Sequence, residues 1–133
     1  MTDLAGACQL AIYAALTAID GLPPVVSEVP MNEQDQAVFP FILLGDDNVT
    51  QIGSKTHRVE RHEVSIHVCM QSTSKLIVRG YQEQVRAALH DQPIAADGAS
   101  LSNPVALNQN TPLLDDGATY VGSSIFAIIA QDA

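Results

Sequence analysis

The chain has 133 residues, a formal net charge of −9, 47% hydrophobic residues and only 16% charged ones. That is the length of one domain, here taken as residues 1–133. The chain is too apolar and too sparsely charged for a disordered segment, and too acidic for a protein that grips nucleic acid by neutralising phosphates. All six basic residues (Lys55, Arg58, Arg61, Lys75, Arg79, Arg86) fall between positions 55 and 86. Residues 1–54 carry seven acids and residues 87–133 five, with no Lys or Arg in either stretch. The longest purely apolar run, Leu10–Leu16, is seven residues, against about 20 for a membrane span, so no membrane association is expected. The start of the chain lacks the positive region of a secretory signal.

The first predicted element is a helix over residues 3–20. Leu4, Cys8, Ile12, Leu16 and Ile19 form one apolar stripe at helical spacing. Thr2 or Asp3 can cap its start, and Gly21 its end. Ala7, Ala11, Ala14 and Ala18 make a second, small-residue stripe, explained by helix propensity or by close approach of another element. After Pro23-Pro24 comes a short strand, Val25–Val29, then a polar loop over 31–37. Phe39–Leu44 reads as a strand with Pro40 at its first position or on an edge. Residues 45–48 (GDDN) read as a turn, and Val49–Lys55 as an extended arm or loop. From Arg58 to Met70 the chain alternates, with Val64, Ile66, Val68 and Met70 on the core face. Charged residues continue that alternation back to Arg58, which implies a protruding hairpin with residues 46–57. Ser72-Thr73-Ser74 caps a second helix, Lys75–His90, with Ile77, Val78, Tyr81, Val85, Ala88 and Leu89 as its apolar face. Two closing strands, Leu101–Leu107 and Thr119–Gln131, flank a long turn over 108–117. The expected fold is α+β: an antiparallel sheet faced by two helices in the order α-β-β-β-α-β-β.

Signals for chemistry are few. Asp46-Asp47 and Asp115-Asp116 lie in turn contexts, where turn geometry explains Asp directly. His57, His62 and His67 recur every five residues, so on a strand His62 faces away from the other two. They are expected as solvated or interface histidines. His90, at a helix C-terminus, is placed to favour an imidazolium. Cys8 and Cys69 read as reduced packing residues. Lys75, Arg79 and Arg86 recur with Glu83 as a solvated helix face. The sequence lacks a glycine-rich phosphate loop, a nucleophile elbow and a paired-cysteine motif. No catalytic residue, metal site or cofactor is expected, and the chain reads as a non-enzymatic module.

Four segments carry a resemblance. They are the helix run Ala11-Ile12-Tyr13-Ala14-Ala15-Leu16, the strand Pro40-Phe41-Ile42-Leu43-Leu44-Gly45, the alternating strand His62–Met70 with helix Lys75–Leu89, and the late strand containing Ile125–Ile129. In order and spacing the chain resembles the tail-completion, or tail-terminator, proteins of long-tailed bacteriophages. It departs from them at Cys69-Met70, where the family often has an aromatic. The resemblance implies a structural protein of the virion, assembled in the host cytoplasm and found at the tail–head junction. It further implies a homohexameric ring on the tail tube protein that ends tube growth and meets a head–tail connector or stopper, with DNA passing through unbound. On that basis the 46–62 hairpin is expected to reach a neighbouring subunit or the tube through Lys55, Arg58, Arg61 and His62. Asp46 and Asp47 are expected to line the channel. The alternatives are a head-completion or connector component and a small ligand-binding α+β module.

Overall fold

In the computed structural model, residues 3–53, 56–72 and 74–132 are described. Thr2, Lys55 and Thr73, invoked above for capping or contact, lie outside them. Helix α1 spans Leu4–Thr17, and Asp3 caps it, its carboxylate accepting from Gly6 N at 3.0 Å. The helix stops short of the predicted residue 20. The Thr17 hydroxyl turns back to Tyr13 O (2.8 Å), and the chain reaches a left-handed Gly21 through a turn. Its buried stripe is Leu4, Cys8, Ile12 and Leu16, joined by Ala7 and Ala11, while Ala14 and Ala18 stay exposed.

Among the described residues, six strands form one mixed sheet in the order β1-β2-β3-β6-β4, with β5 also paired to β6. Strand β1 (Val25–Val26) pairs in parallel with Ile42 and Leu43 of β2 (Phe41–Gln51), so the sheet is not purely antiparallel. Strand β2 forms a hairpin with β3 (Val59–Gln71), and β6 (Thr119–Asp132) runs along the other side of β3 for its whole length. Helix α2 spans Lys75–Leu89. The expected strand 101–107 is two strands, β4 (Ala99–Leu101) and β5 (Val105–Asn110), separated by Pro104, which cannot donate to a ladder. Strand β5 extends into the stretch expected to be a turn, leaving a shorter connection before β6.

The core lies between the helices and one sheet face. Alternate residues Val64, Ile66 and Val68 of β3 and Phe126, Ile128 and Ala130 of β6 point into it, as period-two alternation requires. From α2 come Val78, Val85 and Leu89. Ile77, expected among them, is half exposed, and Gln82 takes the buried place instead. Ser74 holds the N-cap position, with the side-chain hydrogen bonds of the turn made by Ser72. His90 uses its ring for a hydrogen bond to the neighbouring strand. Its Nδ1 accepts from Ala106 N at 3.0 Å and pins β5 to the end of α2. Among the described residues, no helix is long and apolar enough to cross a membrane.

Cys8 and Cys69 are free and buried. Burial, with smaller contributions from the charges of Asp47 and Glu60, pushes the Cys8 thiol up to about 12, and burial pushes Cys69 up to about 11. The thiolate is the reactive form, and each unit of pKa is a factor of ten. Both cysteines should therefore react with a disulfide reagent at pH 8 roughly a hundredfold or more slowly in the native protein than in urea. A fast-reacting native thiol would contradict the packing described.

Candidate functional site

The far half of the β2–β3 hairpin carries the residues singled out from the sequence. Gly45-Asp46 is a bulge in β2, not a turn. Leu44 pairs with Ile66 and Asp47 with Val64, so two residues stand opposite Ser65. A bulge of this kind inserts one unpaired residue and bends the strand. Glycine makes room there for the His67 ring, because a Cβ at Gly45 would lie 2.6 Å from His67 Nε2. The His67 ring leans across β2 with Nδ1 2.7 Å from Ser123 Oγ. Burial lowers its pKa below the usual histidine value, partly offset by Asp46.

The bulge has a direct chemical effect. It shifts side-chain parity so that Asp47 falls on the helix-side face together with Val64 and His62. His62 is 0% exposed. Its Nδ1 lies 2.9 Å from Asp47 Oδ2 and 3.1 Å from Oδ1, and its Nε2 lies 3.0 Å from Glu60 Oε1. Both ring nitrogens thus face carboxylate oxygens, an arrangement fully satisfied when both carry a proton. Glu60 also accepts from Arg58 Nε at 3.2 Å, and Arg58 Nη1 stands 3.9 Å from Asp132 Oδ1 at the end of β6. The result is a chain of polar contacts, Asp47–His62–Glu60–Arg58–Asp132, that ties β2, β3 and β6 together near the hairpin tip.

Two expectations change here. His62 is not a solvated or interface histidine in this chain. It is enclosed because residue parity puts it in line with the core residues of β3, and both its ring nitrogens are met internally. Asp47 is only about one fifth exposed and is engaged by His62, whereas Asp46 is exposed. Arg61 lies on the opposite sheet face and is partly exposed, with Nη2 3.3 Å from Glu63 Oε1. His57 is exposed, with Nε2 2.9 Å from Gln131 Oε1. The sequence reading missed Glu60 altogether. Its signal was an acid at the i−2 position of a strand histidine, which shares the histidine's face.

The carboxylates sit on opposite ring nitrogens and do not converge on one point. Among the described residues, no group of three or more His, Cys, Asp or Glu side chains is arranged to hold a metal ion. In the Asp115-Asp116 pair, Asp116 serves the turn before β6. It accepts from Ala118 N, Thr119 N and the Thr119 hydroxyl (2.9, 2.9 and 2.6 Å), and these bonds lower its pKa. The site can therefore brace and present a hairpin.

Among the described residues, the domain sets two helices against a curled sheet whose β2–β3 hairpin is clamped internally. The chain matches the family described as "Tail completion protein gp17" over residues 10–131 and belongs to that family. It is a structural protein of the virion tail. A chain of the solved structure titled "Virion of native gene transfer agent (GTA) particle" is similar to it with a TM-score of 0.86 and 19% identity, covering 98% of this chain and 99% of that one. At that identity the likeness establishes the fold. None of the curated proteins matches.

Proposed function

We propose that this protein caps the finished tail tube as a homohexameric ring, ends tube growth, and offers a surface to the head connector or stopper. The family match over nearly the whole chain is the observation that carries this reading. Ring closure requires a heterologous contact, in which one patch of a subunit meets a different patch of the next. The segregation of cations into residues 55–86 supports such a contact by supplying unlike patches on one chain. The β2–β3 hairpin is proposed to touch the tube or a neighbour through Lys55, Arg58 and Arg61, with His62 acting from inside as the brace of that hairpin. Exposed Asp46, with Asp47 behind it, is proposed to face the channel. An acidic wall there would keep DNA from sticking as it passes.

The test is charge reversal at the hairpin. Arg61→Glu, which spares the buried clamp, should weaken binding to tail tubes about tenfold, equivalent to about 1.4 kcal/mol. The Arg58→Glu/Arg61→Glu pair should weaken it further. Unfolding midpoints of both variants control for folding. Unchanged tube binding by the double variant would remove the hairpin from the contact. Co-sedimentation with filled heads in place of tails would favour a head-completion role.

A further inference from the structure

A groove on the α1 side of the molecule has no described partner element. Leu10 (67% exposed) and Tyr13 of α1 stand beside Val25 and Val26 of β1, and the space between them is about 690 Å3. Glu28 lies at its border. No Lys or Arg occurs anywhere in residues 1–54, so this surface is apolar and acidic. The first turn of α2 presents the opposite character. Leu76 is 76% exposed and Ile77 is half exposed, and exposed Lys75 and Arg79 flank them. Leu76 and Ile77 are adjacent and lie outside the core, and clustered exposed apolar surface marks interaction sites. Among the described residues, α2 packs on β3, β5, β6 and α1, while the groove is built by α1 with β1 at the other edge of the sheet.

We propose that these two surfaces are the two halves of one contact between copies of this chain. Leu76 and Ile77 of one copy seat in the groove between Leu10 and Val26 of the next, and Arg79 faces Glu28. The argument for a second copy as occupant is charge complementarity. The groove calls for an apolar segment carrying cations, and the chain concentrates its cations in one window that holds such a segment. The two surfaces differ, so the contact repeats head to tail and can close into a ring. This deepens the ring reading above and rests on it.

The test uses two full-length single variants, Leu10→Cys and Leu76→Cys, carrying distinguishable tags, free and bound to tail tubes. Buried Cys8 and Cys69 do not compete. Under mild oxidation the mixture should give a mixed-tag disulfide dimer at tenfold or greater yield over either variant alone. Glu28→Arg and Arg79→Glu should each cut assembly on tubes about tenfold, and their combination should restore it. Rings that form on tubes while the mixture cross-links no better than either variant alone would overturn this contact and leave the ring reading standing. Efficient cross-linking of Leu10→Cys with itself would mean a symmetric contact and also overturn it. A chain that stays monomeric and never binds tubes would sink the ring reading and this contact together.

Discussion

Replacing His62 with alanine is expected to lower the unfolding free energy by about 3–5 kcal/mol, the usual cost of breaking a buried ion pair from one side. The imidazole is wholly enclosed, and its two nitrogens lie 2.9 Å from Asp47 Oδ2 and 3.0 Å from Glu60 Oε1. Without it, each of two part-buried carboxylates has one polar contact fewer. The denaturant midpoint of the purified variant reads this directly. His62→Leu, which keeps most of the volume, should cost about as much, because the loss is in charge pairing more than in packing. Adding Asp47→Asn and Glu60→Gln to His62→Leu should recover much of the loss, since an uncharged interior often replaces a buried pair without penalty. If His62→Ala costs under about 1 kcal/mol, the clamp contributes no net stability.

Gln82→Leu is expected to cost on the order of 3 kcal/mol, from buried polar groups left without partners at about 1–3 kcal/mol each. Gln82 is fully buried in α2. Its Nε2 donates to Asn110 O (2.9 Å) and Ser123 O (3.4 Å), and its Oε1 accepts from the Thr111 hydroxyl (2.8 Å). It rests on Gly122, where a Cβ would lie 2.6 Å from Gln82 Cδ. The amide is thus the link between α2, the central strand β6 and the end of β5. Hydrogen exchange should accelerate across residues 105–111 and much less across the β3–β6 ladder, which has its own backbone bonds. Uniform acceleration over the whole domain would mean that the link is global and not local to β5.

What the sequence disclosed, and what it withheld, follows from the range of each signal. The α1 stripe, the β3 alternation and the helical spacing of Val78, Val85 and Leu89 are local patterns that burial enforces, and the structure has all three. The α+β class follows from them. Two misreadings came from polar residues in core positions. Gln82 and His62 occupy places that hydrophobic patterning assigns to aliphatics, because each is satisfied by groups distant in sequence. Gln82 meets residues 28 and 41 positions away, and His62 meets Asp47 across a strand pair. The GDDN segment looks like a turn because Gly and Asp favour turns. In the sheet the same Gly makes room for His67, and one Asp binds His62. The parallel β1–β2 pairing depends on where the chain returns after the 31–40 segment, and no local pattern encodes that.

The extra residue in β2 also sets how this hairpin tolerates change in length. A ladder counts side chains by parity, and the residue inserted at Gly45-Asp46 is what brings Asp47 to the inner face. Deleting Asp46 would leave Gly45 alone opposite Ser65 and Asp47 still opposite Val64, so the strand would lose its bend while Asp47 kept its face. Closing the bulge with all residues present would instead slip the register by one and turn the side chains from Asp47 to Gln51 over. Loss of one residue at the bulge should therefore leave the His62 contact in place, whereas a point substitution at Asp47 removes its carboxylate.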